Sequence, residues 1–348
     1  MRLSGVRTKD AAFGAVGVVL AIIWLVAAIR VWPAIAPSAR ATPTPRPSSP
    51  IEVVRLNGSV AISAGGDIYV IRDAQMTRIA SGGGRHDPAL SADGTKLAFT
   101  LDQTIDGNRN FDGQTVPAHL AYSNVMARAT SGGADEMLVN GLQKREANGF
   151  HVVEFESQPA WSADGSAIAF ISDGGAGADL QVLTTATKRI ATLSQGSVLA
   201  DPAWAPDGKT IAVTTYTQGS PAILLVSADG RSEGERLKIA RDGDVYRPSY
   251  SPDGKWLIAT LRSSRGNDLI AVDLSTTRVV DLTSDGKSWG GVFSPDGTQV
   301  AFLRETDGAI DLYAMDVKDA LAGGAPKPSQ QVTHDGRIDG TSRPSWSR

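Results

Sequence analysis

Residues 106–113 carry oxygen-bearing side chains at every second position, a spacing typical of the first half of a calcium-binding loop. These side chains belong to Asp106, Asn108, Asn110 and Asp112. Phe111 stands where such a loop needs glycine, and Pro117 stands where it needs a bidentate glutamate. The segment therefore predicts either a weak calcium site or a turn rich in Asx hydrogen bonds. No other cofactor is expected.

The histidines are the remaining candidates for a metal centre or a general base. They are His86, His119, His151 and His334. Glu154 and Glu156 follow the third of them closely, but no histidine has H-x-H or H-E-x-x-H spacing. The chain has no cysteine and no phosphate-binding glycine loop. We therefore predict no catalytic residue and a protein that is not an enzyme.

An internal repeat after residue 50 predicts the elements that position these side chains. Its copies are HDPALSADGTKLAFT, SQPAWSADGSAIAFIS, ADPAWAPDGKTIAVTT, YRPSYSPDGKWLIATL and WGGVFSPDGTQVAFLR. Their Asp-Gly pairs recur every 43 to 46 residues, apart from one interval of 71 residues. Such a period is typical of propeller blades. Each Asp-Gly pair predicts a hairpin turn, and the flanking apolar runs predict four strands in each unit.

The two ends of this domain predict how the ring closes. Residues 342–347 resemble the first strand of a unit that lacks its Asp-Gly turn. Residues 60–62, 67–71 and 77–80 supply a second, third and fourth strand without a first. Joining them into one composite blade removes an exposed sheet edge. We therefore predict an all-β, six-bladed propeller of four-stranded blades over residues 51–348, in which the C-terminal strand closes the first blade.

The repeated core resembles the PD40, or WD40-like, repeat of TolB-type bacterial β-propellers. Ser251-Pro252-Asp253-Gly254 and Ser294-Pro295-Asp296-Gly297 match the pattern fully, and the other copies carry alanine at one position. The fifth complete unit departs by having Gly291 where the others carry proline. The resemblance covers essentially residues 51–348. It implies a propeller outside the cytoplasm with protein partners in the cell envelope.

The expected topology predicts where a binding site lies. In a propeller, the residues just before each first strand surround one mouth of the central channel, and the Asp-Gly turns lie on the opposite face. The channel-mouth residues predicted in this way are His86, Asp87, Gln158, Asp201, Tyr246, Arg247, Trp289 and Arg343. They mix acidic, basic and aromatic side chains, as binding rims do. The alternative is a solvated rim whose polar groups only join neighbouring blades.

The second unit is longer than the others because it holds two insertions. Residues 102–119 lie between its second and third strands, and residues 140–157 lie between its fourth strand and the next unit. Long loops on a rigid scaffold often carry function. We expect both insertions to project on the channel-mouth face and to form a cap or a partner-binding lobe.

The N-terminal region predicts attachment to a membrane. Residues 11–29 contain no charge and are long enough to cross a bilayer, so we predict a transmembrane signal-anchor helix at 11–32 after a cytoplasmic segment at 1–10. Residues 33–50 are rich in proline and predict an extended linker. A cleaved signal peptide is the alternative. Residues 1–50 are basic whereas the propeller is acidic, so nucleic acid is not an expected partner.

These features predict a membrane-anchored, extracytoplasmic propeller, periplasmic or extracellular, that binds or scaffolds a protein or peptide of the cell envelope. An enzyme that uses a ligand or metal on the channel-mouth face is the second hypothesis. A purely structural spacer is the third.

Overall fold

The computed structural model describes residues 56–145, 150–175, 177–194, 198–216, 219–232 and 234–348. The chain divides into two units, Met1–Ile51 and Glu52–Arg348, and the described residues belong to the second. The predicted cytoplasmic segment, membrane helix and proline-rich linker all lie outside the described residues. In the part of the chain that is described, no helix has the length and apolar character needed to span a bilayer.

The described chain is built almost entirely of strands. Strands β1 to β9 are Ser59–Ala64, Asp67–Arg72, Gln75–Ala80, Arg85–Leu90, Lys96–Phe111, Gln114–Ala129, Glu136–Val139, Leu142–Arg145 and His151–Val153. Strands β10 to β18 are Phe155–Trp161, Ala167–Asp173, Ala178–Thr184, Ile190–Ser194, Leu199–Trp204, Thr210–Thr215, Ala222–Ser227, Glu235–Arg236 and Asp244–Tyr250. Strands β19 to β26 are Trp256–Ser263, Gly266–Asp273, Val279–Asp281, Ser288–Phe293, Gln299–Thr306, Ala309–Asp316, Gln330–Gln331 and Ser345–Ser347. A short helix, α1, spans Lys318–Leu321.

These strands form an all-β propeller. Four sheets are separate four-stranded blades, ordered β26-β1-β2-β3, β14-β15-β16-β17, β18-β19-β20-β21 and β22-β23-β24-β25. The expectation of six separate blades needs correction, because β4–β7 and β10–β13 form one eight-stranded sheet. They are joined where β10 runs parallel to β6, with Phe155 opposite Ser123. The second insertion causes this fusion, because it brings the chain back beside β6 before β10 begins.

The composite first blade is confirmed. Strand β26 pairs antiparallel with β1, which places Ser347 opposite Ser59 and Trp346 opposite Val60. The indole N–H of Trp346 donates to the Asn57 carbonyl at 3.0 Å. An apolar cluster that includes Val60, Leu303 and Leu312 then packs this blade against the β22–β25 blade. The last and first sheets are therefore held together by hydrogen bonds and by a shared core.

The Asp-Gly turns and the second strands also follow the prediction. The five turn glycines have positive φ angles between 68° and 72°, as the turn requires. In the first turn, Asp93 accepts hydrogen bonds from the Ser91 hydroxyl at 2.6 Å and from the Thr95 N–H at 3.0 Å. The small central residues of the second strands, Ala98 and Ala169 among them, are fully buried. Their size lets neighbouring sheets pack closely.

The closing strand should carry a measurable share of the stability. We expect Trp346→Ala to lower the free energy of unfolding by about 2 kcal/mol, because it removes a half-buried ring and one hydrogen bond. Met76→Ala, on the exposed face of the outer strand β3, should change it by less than about 0.5 kcal/mol. Urea unfolding of the full chain measures both. Equal midpoints for the two variants would contradict the role assigned to the closing strand.

Candidate functional site

Four of the predicted channel-mouth residues occupy one repeated backbone position, a bulge in the first strand of a unit. Asp87, Gln158, Asp201 and Arg247 have positive φ angles between 50° and 55°, and Gly290 has one of 67°. The strand register shifts at each of these positions. A bulge turns the N–H of its residue out of the sheet, so that this donor needs an acceptor elsewhere.

Neighbouring units supply those acceptors. The hydroxyls of Thr100, Thr214 and Thr260 accept from the N–H groups of Gln158, Arg247 and Gly290 at 3.0 to 3.1 Å. These threonines end the second-strand segments LAFT, IAVT and LIAT. Sequence reasoning missed them, although their recurrence at one repeat position was visible in the aligned copies. They hold each bulge to the preceding unit.

The N–H groups of the other two bulges donate to side chains other than threonine. The Asp87 N–H donates to the Ser342 hydroxyl at 2.8 Å, and the Asp201 N–H donates to the Gln158 side-chain oxygen at 2.6 Å. Gly291, the departure from the repeat, has a spatial cause. A Cβ atom there would approach Ile258 to 2.8 Å, so the proline found in other units would not fit.

The charged side chains of the predicted rim bind one another and the backbone. Arg247 donates to the carbonyls of Gly340, at 3.2 Å, and Thr341, and its Nε lies 3.8 Å from an Asp201 carboxylate oxygen. Arg343 donates to the carbonyls of Pro202, at 3.0 Å, and Pro248. Burial lowers the pKa of Arg343, and the negative charge of Asp201 opposes that shift.

The aromatic members of the rim are engaged as well. The Trp289 indole N–H donates to the Gly340 carbonyl at 2.9 Å, and the Tyr246 hydroxyl donates to Asn267 at 3.0 Å. The guanidinium of Arg262 lies 5.8 Å from the centre of the Tyr246 ring. The predicted channel mouth is therefore lined by side chains that already have hydrogen-bond partners within the protein.

A large cavity opens at the opposite end, among the Asp-Gly turns. We call this cavity of about 920 Å³ the funnel. One first strand from each repeat unit lines it, so it follows the central axis. The aromatic side chains of its wall are Trp161, Trp204, Tyr250, Phe293 and Trp346. Arg343 is the only predicted rim residue in its lining. This cavity thus lies on the face opposite to the predicted channel mouth.

The mouth of the funnel is charged. Asp93 and Asp164 line it beside Lys96 and Arg348. The hydroxyl of Ser91 lowers the pKa of Asp93 to about 2, and the hydroxyl of Ser162 does the same for Asp164. Both carboxylates are therefore ionised at neutral pH. The funnel combines an aromatic wall, a charged mouth and one guanidinium at its inner end.

Residues 187–348 match the family model PD40, described as the TolB beta propeller domain. The chain is similar to the TolB-like PD40 propellers. The sequence resemblance is thereby confirmed.

Individual relatives agree with this assignment. The chain is 30% identical to the uncharacterized peptidase YuxL of Bacillus subtilis, over 66% of this chain and 32% of that protein. It is 25% identical to the Tol-Pal system protein TolB of Francisella tularensis subsp. mediasiatica, over 64% of this chain and 62% of that protein. The crystal structure of TolB from Acinetobacter baumannii superposes with a TM-score of 0.62 at 17% identity, covering 84% of this chain and 67% of that one. The chain thus spans less than two thirds of the first two relatives.

The first insertion of this TolB-like propeller is an extension of a hairpin. Strands β5 and β6 are each 16 residues long and stay paired from Lys96 and Ala129 to Phe111 and Gln114. The hairpin leaves the propeller at the end opposite to the Asp-Gly turns, as expected, so it does not cover the funnel. The second insertion adds the small β8–β9 ribbon.

The calcium loop is not formed. Asp106, Asn108 and Asn110 lie along the straight strand β5, where alternate side chains point the same way but stay about 7 Å apart. Asp106 contacts His119 on the paired strand, and Asn110 accepts a turn hydrogen bond from Gly113 at 3.0 Å. The described residues contain no group of three His, Cys, Asp or Glu side chains arranged to hold a metal. The Asx-turn alternative describes the tip of this hairpin.

His86 is a predicted rim residue whose pKa departs from its ordinary value. Burial lowers the pKa of its imidazole, but hydrogen bonds with Asp102 and Asp87 outweigh burial and raise it to about 10. The two contacts measure 3.1 Å and 2.9 Å. His86 is therefore an imidazolium at neutral pH and cannot serve as a general base.

Glu156 is a buried carboxyl at the joint between β6 and β10. Its side chain accepts from the Ser172 hydroxyl at 3.2 Å, and its Oε2 atom is buried without a partner. Burial and then the neighbouring Glu154 carboxyl raise the pKa of Glu156 to about 8. The sequence named these glutamates only as neighbours of a histidine, and nothing local predicted the burial.

The pKa of Glu156 predicts how stability depends on pH. A carboxyl with a raised pKa binds its proton more tightly in the folded state, so its contribution is complete below about pH 4.3 and is lost as pH rises through about 8. We expect the free energy of unfolding to fall over that window, by at most about 1.4 kcal/mol per pH unit from this group.

Urea unfolding at a series of pH values measures this effect. Glu156→Gln should flatten the slope between pH 5 and 8, whereas Glu235→Gln, on the exposed strand β17, should leave it unchanged. An unaltered slope in Glu156→Gln would show that this carboxyl is not the cause.

Proposed function

We propose that this chain is a non-catalytic binding module whose funnel holds a segment of a protein or peptide of the cell envelope. The funnel itself is the observation that carries the proposal. Its volume of about 920 Å³ lies within the range of ligand-binding cavities. Its wall presents large aromatic side chains beside prolines, and such rigid surfaces lose little conformational entropy when a partner binds.

Within this proposal the predicted rim residues have two roles. Arg343 reaches the funnel and offers its guanidinium to the bound segment. Asp201, Arg247, Gln158 and Asp87 act indirectly, because their hydrogen bonds fix the bulges and the segment that carries Arg343. Tyr246 and Trp289 support the same end of the ring.

We also propose that the ring counts six blades. The funnel wall takes a first strand from each of six repeat units, and the eight-stranded sheet supplies two of them, β4 and β10. The eight-stranded sheet would then consist of two blades, joined by the single parallel pairing of β6 with β10.

The envelope location rests on two supports. One is the similarity to proteins named for the Tol-Pal system. The other is the apolar segment predicted to anchor residues 11–32 in a membrane, with the linker at 33–50 and the propeller outside the cytoplasm.

An enzyme is the alternative, because the similarity to a protein named as a peptidase is of comparable strength. That match covers only 32% of the peptidase-named protein. Under this alternative the chain would release a changed product rather than retain its ligand.

Photocrosslinking in intact cells tests the funnel. Ala92 and Ala163 are small, exposed and part of the funnel lining, so either position should accept a benzoylphenylalanine side chain. We expect both to capture the same envelope protein, because a bound segment would lie within reach of either. A crosslinker at Met76, on the exposed outer strand β3, is the matched control. Capture of that protein from Met76 alone, or from all three positions equally, would contradict the proposal.

Protease treatment of whole cells tests the location. With the outer permeability barrier opened, we expect protease to digest the propeller while a cytoplasmic marker stays intact, because residues 1–10 would be the only part inside. A propeller that is protected until the cell membrane is lysed would reverse the proposed orientation.

A further inference from the structure

A second cavity lies at the base of the long β5–β6 hairpin, away from the funnel. It measures about 480 Å³, and we call it the hairpin-root pocket. The lining residues that matter here are His86, Asp102, Thr104, Tyr122 and Phe155. They come from β4, β5, β6 and β10, so the pocket sits where the two halves of the eight-stranded sheet meet.

The sheet topology explains why this space is open. Strands β6 and β10 pair at one position only, Phe155 opposite Ser123, and the Ser123 hydroxyl donates to the Glu156 carbonyl at 3.2 Å. Beyond that contact β6 continues into the projecting hairpin, whereas β10 belongs to the propeller. Diverging strands leave a gap between them that no side chain of the lining fills.

Two aromatic rings form the apolar side of the pocket. Tyr122 is nearly buried, but Phe155 is 44% exposed. An exposed phenylalanine beside a cavity is unfavourable in water unless something covers it. The face of an aromatic ring also attracts a cation within about 6 Å.

The polar side of the pocket is negative. His86 lies between the carboxylates of Asp87 and Asp102, at 2.9 Å and 3.1 Å. Two carboxylates outweigh one imidazole whether or not it carries a proton. The Asp102 side chain is 58% exposed, and the lining contains no lysine or arginine. With His86 protonated, these three groups together keep one net negative charge, and Asp102 is the part of the cluster that solvent reaches.

We propose that the hairpin-root pocket binds the side chain of a lysine or arginine from another polypeptide. Its alkyl stem would cover Phe155, and its cationic group would lie against the carboxylate of Asp102. The Thr104 hydroxyl offers a further acceptor at the same wall. This site is separate from the funnel, so the inference does not depend on the proposed function.

Ligand-observed saturation-transfer NMR on the full chain tests the proposal. The probes are three acetylated, amidated tripeptides, Gly-Lys-Gly, Gly-Arg-Gly and Gly-norleucine-Gly. Norleucine keeps the alkyl stem and lacks the charge, so it should bind at least about fivefold more weakly than the better cationic peptide. A preference between the lysine and arginine peptides identifies the source of the cation. Equal binding of the norleucine peptide, or no binding of either cationic peptide, overturns the proposal.

Variants locate the binding. Asp102→Asn and Phe155→Ala should each weaken the favoured cationic peptide at least about fivefold. Asp112→Asn, at the tip of the same hairpin, should not change it. Asp112 has a φ angle of 47°, which asparagine adopts readily, so this control should fold normally. Thermal unfolding confirms that each variant is folded. Unchanged affinity in folded Asp102→Asn overturns the proposal, as does equal weakening by Asp112→Asn.

Discussion

The bulge in each first strand is the constraint on which the rest of this propeller depends. It turns one backbone N–H out of its sheet, and a buried donor without a partner costs about 1 to 3 kcal/mol. Thr100, Thr214 and Thr260 accept these donors from the next unit. Each of these repeat units therefore completes its hydrogen bonds only when its neighbour is in place. This coupling ties neighbouring units together without any disulfide, since the chain has no cysteine.

The same bulges decide which end of the ring is open. At the predicted channel mouth, Arg247 and Arg343 donate to backbone carbonyl groups, and Arg247 also lies beside the Asp201 carboxylate. That end is consequently occupied by protein atoms. At the Asp-Gly end the first strands carry aromatic residues that lean against the neighbouring strand, as Trp161 and Trp204 do by donating to the Ala89 and Ala160 carbonyls at 3.1 Å. Because these rings lie against the wall of the funnel, the central axis of the ring stays open.

The parts of the fold that could be predicted are those encoded within one repeat or at the two ends. Asp-Gly pairs specify turns, and an orphan strand such as Ser345–Ser347 must find the blade that lacks one. The open end could not be predicted in this way, because loop order identifies the residues at each mouth but not the directions of their side chains. The strand at residues 106–110 could not be predicted for a related reason. Residues 106–110 have the composition of a loop, yet pairing with Thr115–His119 holds them in a strand.

The long β5–β6 hairpin shows that an insertion can change the exposure and the pKa of nearby side chains although no sequence motif marks them. The hairpin continues β5 and β6 past the edge of the propeller. Strand β10 therefore pairs with β6 at one position only, Phe155 opposite Ser123. Phe155 and Glu156 are adjacent in sequence, yet the same joint leaves the first exposed and buries the second completely. The exposed ring lies beside Asp102, whereas the buried carboxyl must hold a proton near neutral pH. Neither property belongs to the residues alone, since both arise at the joint between β6 and β10.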